Sequence, residues 1–266
     1  MKTNFHTHTV FCDGKSTAEE MVQSAIEKGF STLGFSGHGY ALYDLRCCIK
    51  DTDAYIQEIN RLKAQYKNEL QILLGIEEDA FSPVARDRFD YMIGSCHYFY
   101  INGVYYPIDA NHEAFKRCME LFDHNPIALA ETYYSTFCEY IHRRKPDIIG
   151  HFDLITKFDE LAASQFLHNA AYQKVAERYI LQAAKSGCVF EVNTGAISRG
   201  FRTAPYPSAD LLYALKKVDA PLILSSDSHH RDTLDCAFEE TKYYLREIGF
   251  SKLFTLKQDG FTPYDL

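Results

Sequence analysis

Asn4-Phe5-His6-Thr7-His8-Thr9 sets two histidines two residues apart, close to the start of the sequence. In a β-strand, residues two apart project from the same face. Residues 2–9 therefore read as a first strand ending in two neighbouring imidazoles, which is half of a metal site. The spacing alone fits two solvated histidines equally well. What decides between them is repetition further along the chain. His38 follows the strand-like run 32–36, Glu77 follows 70–76 and His97 follows 89–95. His151 follows 148–150, Glu191 and Asn193 end 188–193, and Asp227 with His229 follow 222–224. Each time a residue of metal-ligand type closes an apolar run.

Between these runs the spacing predicts helices. Residues 16–28 carry Ser16 and Glu19 at capping-box spacing, with Gly29 placed to end the helix. Helical patterns follow over 51–68, over 113–140 with a break at Asn125-Pro126, and over 165–186, 208–218 and 235–248. Residues 98–110, with the turn signal Asn102-Gly103, read as a loop, and nothing is read into the tail after Ser251. Alternating strands and helices imply parallel crossovers, and continuously apolar strands imply burial on both faces. Seven such units without a linker predict one domain, residues 1–266, built as a closed β/α barrel. In such a barrel the C-terminal strand ends share one face, which carries the chemistry. Core packing alone does not place polar residues at seven strand ends.

The composition agrees with this picture. Of 266 residues, 46% are hydrophobic and 24% charged, which is ordinary for a soluble globular protein. No apolar run approaches the roughly 20 residues of a membrane span, so no membrane partner is expected. No signal peptide is apparent, and the eight cysteines form no Cys-x-x-Cys pair; a cytoplasmic chain with reduced thiols is expected. The net charge of −8 argues against long nucleic acid as a partner. A small anionic substrate still fits, because bound cations reverse the local sign.

The candidate donors are His6, His8, Asp13, His38, Glu77, His97, His151, Asp227 and His229. Nine donors exceed one tetrahedral or octahedral site and suit two or three divalent ions, with Glu77 as the natural bridge. A histidine- and carboxylate-rich set suits zinc, manganese or iron.

These segments resemble the motifs of the polymerase and histidinol phosphatase (PHP) family over nearly the whole chain. His6-Thr7-His8-Thr9 with Asp13-Gly14, Ser36-Gly37-His38, and Gly75-Ile76-Glu77 with Ser95-Cys96-His97 are similar to its first three motifs. Gly150-His151-Phe152-Asp153 and Ser225-Ser226-Asp227-Ser228-His229 are similar to its last two. The resemblance implies a distorted seven-stranded (β/α)7 TIM-like barrel with a trinuclear site. On that model His6, His8, Glu77 and Asp227 surround one ion; Glu77, His97 and His151 hold a second; Asp13, His38 and His229 hold a third. Within the family the chain is most similar to the histidinol phosphatases, through Glu191-Val192-Asn193-Thr194, Arg199, Arg202 and Tyr206-Pro207. The loop after Asn193-Thr194 reads Gly195-Ala196-Ile197-Ser198-Arg199, where the commoner form is Ser-Gly-Leu-Arg.

The chemistry implied is attack of a metal-bridging hydroxide on a phosphate monoester, with a cationic clamp on the phosphoryl oxygens. Arg199 is the first choice for that clamp, then Arg202 and Lys157; Arg143-Arg144-Lys145 reads as surface. Asp13 and His38 are candidates to protonate the leaving oxygen, and Glu77 organises the catalytic centre. Asp109 and Glu113 are candidate acceptors for a substrate amine, and Asp153 and Glu191 for the outer N–H of ligand histidines. Three functions fit: hydrolysis of L-histidinol phosphate to L-histidinol and phosphate in histidine biosynthesis; phosphoester hydrolysis on nucleotides or oligonucleotide ends; and a non-catalytic metal-binding barrel.

Overall fold

The computed structural model describes residues 1–161, 165–257 and 259–266. In chain order the elements are β1 (Thr3–Asn4), α1 (Ala18–Glu27), β2 (Thr32–Phe35), α2 (Thr52–Gln65), β3 (Gln71–Asp79) and β4 (Tyr91–Ser95). There follow β5 (Tyr98–Ile101), β6 (Val104–Pro107), α3 (His112–Leu121), α4 (Pro126–Arg144), β7 (Ile148–Ile149) and α5 (Ala170–Ala184). The last are β8 (Val189–Asn193), α6 (Gly195–Ser198), α7 (Ala209–Lys217), β9 (Leu222–Ser225), α8 (Phe238–Ile248), β10 (Lys252–Lys257) and β11 (Gly260–Asp265).

Seven strands form one parallel sheet in the order β1-β2-β3-β4-β7-β8-β9. A parallel bridge between Thr7 and Ser228 brings the first and last strands together, so the barrel is nearly closed. It is uneven, since β1 and β7 have two residues each and β3 has nine. No helix among the described residues is long and apolar enough to cross a membrane.

The two-residue period sorts the barrel interior into layers. Leu73, Gly75 and Glu77 share a face of β3, and Tyr91, Ile93 and Ser95 share a face of β4. The lower layer is apolar: Phe5, Leu73, Tyr91, Ile93, Ile148, Val189 and Ile223 cluster there, joined by Leu256 of β10. Tyr91 fills its centre, fully buried, with its hydroxyl 2.6 Å from the Phe5 carbonyl and 3.2 Å from that of Phe35. Gly34 and Gly75 make room for the ring, since a Cβ on either would lie 2.3 Å from Tyr91 atoms. The upper layer, at the C-terminal strand ends, is polar.

Four expectations shift. The capping box forms one residue later, on Thr17 and Glu20. Ser16 instead accepts from the Arg231 amide through its hydroxyl, tying α1 to the segment after β9. Residues 98–107, expected as loop, form the antiparallel hairpin β5–β6 around Asn102-Gly103, both at positive φ (51° and 82°). That dipeptide between aromatic-rich runs favours a tight hairpin turn. The tail forms a second hairpin, β10–β11, which supplies Leu256 to the barrel floor. Arg144, expected at the surface, bonds both oxygens of the buried Glu78 (2.7 and 2.6 Å), whose Oε1 also accepts from Tyr140. A buried carboxylate is stable only when paired and hydrogen-bonded, and these partners meet that demand.

Candidate metal centre

The polar strand ends meet above the Tyr91 layer. All nine expected donors fall into four overlapping groups whose ligand atoms lie within 4.8 Å of one another. They are His8, Asp13, His38 and His229; His6, Glu77 and His151; His6, His8 and Asp227; and His38, Glu77 and His97. Glu77 lies at the middle and divides its oxygens. Oε1 faces His151 Nε2 (3.1 Å), His97 Nε2 (3.4 Å) and the Ser95 hydroxyl (2.6 Å). Oε2 faces His38 Nδ1 (2.9 Å), His6 Nε2 (3.3 Å) and His8 Nε2 (3.6 Å). Asp227 Oδ1 lies 3.2 Å from His8 Nε2 and 3.6 Å from His6 Nε2. Asp227 holds a left-handed backbone (φ 48°), a conformation Asp tolerates better than most residues and one that recurs at functional sites. Asp13 comes from the loop after β1; its Oδ2 is 3.3 Å from His229 Nε2.

The donors suit divalent cations on a direct structural criterion. His6 Nε2, His8 Nε2, Glu77 Oε2 and Asp13 Oδ1 are buried and make no well-aligned hydrogen bond, even where an ionisable neighbour lies at hydrogen-bond distance. An unsatisfied buried polar atom costs about 1–3 kcal/mol, and native structures hold few of them. Four such atoms in one cluster of nitrogen and oxygen donors would be satisfied together by bound cations.

Burial works against charge on Glu77, but His6, His38 and His97 outweigh it and hold the carboxyl well below its usual range. Burial is outweighed at Asp227 too, by Arg199 and His6, and at Asp13, by His38, His229 and His8. All three carboxylates stay ionised. Burial works against charge on His6, His38 and His97 as well, but Glu77 and neighbouring carboxylates outweigh it and raise all three, so bound cations would take the place of protons there. Burial, with His229 and His38 nearby, pushes His8 down to about 3, which leaves it as the neutral imidazole that ligates metals.

Behind the donors stands a supporting layer. Glu191 Oε1 accepts from His6 Nδ1 at 2.7 Å, and its other oxygen accepts from the His151 amide (2.9 Å) and Asn193 (2.9 Å). Asp153 does not meet a histidine; it accepts from the Ser208 amide. Two further supports were not among the sequence candidates. Asp79 accepts from the His97 amide at 2.9 Å and lies 3.3 Å from its Nδ1, and Cys12 Sγ lies 3.5 Å from His8 Nδ1. Period two would have found Asp79, which lies two residues beyond Glu77 on the same face of β3.

A cavity of about 480 Å³ opens above the cluster. Arg199 and Lys157 line it; Arg202 does not. Arg199 gives one NH₂ to Asp227 Oδ2 (2.9 Å) and the other to the Asp227 carbonyl (3.0 Å), while its buried Nε has no partner. Lys157 Nζ bonds Asp109 Oδ2 (3.0 Å) and lies over the Phe201 ring. Arg202, expected beside them, is buried away from the cavity, bonded to the Thr156 hydroxyl and stacked on Tyr206. It packs the 195–207 segment against the turn after β7. Asp109 lines the cavity; Glu113 is exposed on α3 outside it.

Comparison with known proteins gives one consistent result. Residues 4–195 match the model of the PHP domain. A "probable histidinol-phosphatase" of Schizosaccharomyces pombe is 30% identical, over 95% of this chain and 89% of its own. The histidinol-phosphatase of Bacillus subtilis is 23% identical, over 90% of this chain and 97% of its own. The crystal structure of histidinol phosphate phosphatase from Lactococcus lactis subsp. lactis, complexed with zinc, L-histidinol and phosphate, has the same fold (TM-score 0.74, 19% identity, 98% of each chain).

Proposed function

This chain belongs to the PHP domain family, and from that premise we propose that it is a metal-dependent phosphomonoesterase that hydrolyses L-histidinol phosphate to L-histidinol and phosphate. The observation that carries the reading is the convergence of nine donors, four with orphaned buried atoms, beneath a cavity lined by cations and acids. We assign His6, His8, Asp13, His38, Glu77, His97, His151, Asp227 and His229 to two or three divalent ions. Zinc is the first choice, since the Lactococcus relative carries it; manganese and iron suit the same donors.

Bound divalent ions supply Lewis acidity and lower the pKa of the water they hold. The chain's own groups do the rest. Glu77, with both oxygens turned to imidazoles, fixes the geometry of the cluster. Arg199 holds Asp227 and lines the cavity where a phosphoryl oxygen would bind. A water oxygen attacks phosphorus in line, the P–O bond to the alcohol breaks, and the proton the water gives up reaches the departing alcohol oxygen, with Asp13, ionised at the cavity wall beside His38, placed to accept it and pass it on. Burial works against charge on Asp109, but Lys157 and His97 outweigh it and lower its carboxyl to about 2. It is thus an ionised acceptor for the substrate's amine or imidazole. The eight cysteines are all free, which suits a reducing, cytoplasmic setting.

The test is phosphate release from L-histidinol phosphate measured beside a panel of nucleoside monophosphates and short 3′- and 5′-phosphorylated oligonucleotides. Histidinol phosphate should give the highest kcat/KM. A nucleotide hydrolysed faster moves the assignment to a nucleotide phosphoesterase.

A further inference from the structure

One cation in the cavity has no role in the chemistry above. Arg46 lies between β2 and α2 and lines the cavity together with Asp13, His38 and Glu77. Among the described residues, three Lys or Arg side chains line it: Arg46, Lys157 and Arg199. Arg199 is committed to Asp227 and Lys157 to Asp109. Among the described residues, Arg46 has no hydrogen bond and no ion pair. Its side chain is exposed and unpaired, in a cavity that six carboxylates also line.

The acids around it explain why. The cavity carboxylates outside the nine donors are Asp44, Asp79 and Asp109, and each is already engaged. Asp44 accepts from the Tyr98 hydroxyl (2.5 Å), Asp79 from the Tyr43 hydroxyl (2.6 Å) and the His97 amide, and Asp109 from Lys157. The five donors of Arg46 are left for something that arrives from solvent, and a planar fork of N–H groups matches phosphate oxygens.

A free surface arginine is ordinarily a solvated one. Here the backbone that carries it is anchored to the metal centre. The Ile49 amide bonds the carbonyl of His38 at 2.9 Å, the Cys48 amide bonds Asp44, and Cys48 and Ile49 are both buried. The side chain therefore starts from a fixed point at the cavity wall.

We propose that Arg46 is a substrate-binding residue that engages the phosphoryl oxygens of a phosphate monoester, and of the inorganic phosphate left after hydrolysis, from the β2–α2 segment. This rests on reading the site as a phosphomonoesterase. Among the described residues Arg46 makes no hydrogen bond or ion pair with a donor, so its removal should act on phosphate and leave the metals alone.

The experiment compares wild-type, Arg46→Ala and Arg46→Lys proteins, each metal-loaded. Four quantities are measured: metal content, melting temperature, kcat and KM for L-histidinol phosphate, and the inhibition constant of inorganic phosphate. For Arg46→Ala, metal content and melting temperature should match wild type. The phosphate inhibition constant should rise about tenfold or more, and kcat/KM should fall by roughly 10- to 100-fold, the range for one lost charged contact. Lysine should restore part of both. Phosphate inhibition and kcat/KM within about twofold of wild type would overturn the proposal and leave Arg46 a solvated cation. Loss of metal would overturn it too, making Arg46 a support of the cluster. Should the wild type itself fail to hydrolyse histidinol phosphate, the functional reading fails separately. Calorimetric binding of inorganic phosphate to the metal-loaded wild type and Arg46→Ala then still decides on Arg46.

Discussion

The two layers inside the barrel are built by the same strands and obey opposite rules. In the lower layer, Tyr91 occupies the space that Gly34 and Gly75 leave open, and its hydroxyl reaches two backbone carbonyls. One turn of the strand period above, Glu77, His6 and His8 are as deeply buried and still leave atoms without partners. A layer selected for stability satisfies its polar groups internally. A layer that leaves several unsatisfied keeps them for a ligand. Mutations in the two layers should therefore separate cleanly, and each prediction below tests that separation.

The largest effect is expected at Glu77. Its two oxygens face different imidazoles, so Glu77→Gln should lose more than one equivalent of metal. Turnover should drop by more than the roughly 10- to 100-fold typical of removing a group that only supports a ligand. Wild-type metal content and turnover in Glu77→Gln would show that the carboxylate does not bridge. Next comes Arg199, which belongs to the upper layer yet touches a donor. Arg199→Ala removes a charged contact worth about 1.5–3 kcal/mol, or roughly 10- to 150-fold in kcat/KM. Because Asp227 loses its partner, metal affinity should weaken as well. A kinetic loss at unchanged metal affinity would confine Arg199 to the substrate.

Gly75→Ala tests the lower layer. A Cβ 2.3 Å from the Tyr91 ring forces repacking, for which about 1–3 kcal/mol is typical and more is possible. The denaturant midpoint should fall while the folded fraction keeps its metal. If Gly75→Ala instead lost metal at unchanged stability, the layers would not be independent. The smallest effect is expected outside both. Asp235 bonds Lys2 and Lys28, clamping the start of β1 to the segment before α8. Burial raises its pKa, but the two lysines outweigh that and the net shift is downward. A lowered folded pKa gives stability that is present above the unfolded value of about 3.9 and is lost as pH falls through the folded value. Asp235→Asn should therefore cost about 0.2–1 kcal/mol at neutral pH. The difference from wild type should vanish in strong acid, and a constant difference from neutral pH into acid would assign the effect to packing.

The upper layer was the more legible of the two in sequence, because its residues are chemically conspicuous and recur at strand ends. His6, His38, Glu77, His97, His151 and Asp227 could be placed on one barrel face from period and polarity alone. The lower layer offers only apolar residues and glycines, and nothing local says that Gly34 and Gly75 serve a ring on β4. Long-range partners were invisible for the same reason. Arg144 finds Glu78 across 66 residues, and Arg202 finds Thr156 across 46. Hence one arginine expected at the surface is half-buried on a carboxylate, and one expected at the phosphate is a buried strut. Arg46 sits in an irregular segment with no periodicity to mark it, and only the cavity reveals where it points. The β5–β6 hairpin is different, since Asn102-Gly103 between Tyr98-Phe99-Tyr100-Ile101 and Val104-Tyr105-Tyr106 carried a hairpin signal.

The central claim is that the unsatisfied upper layer is a metal centre on which hydrolysis depends. The direct measurement strips the protein with chelator, determines its metal content, and follows phosphate release from L-histidinol phosphate before and after adding back zinc, manganese or iron. The stripped protein should keep its secondary structure, because the Tyr91 layer needs no ion, and should have no turnover; one of the metals should restore it. Full turnover from protein that holds no detectable metal would contradict the account.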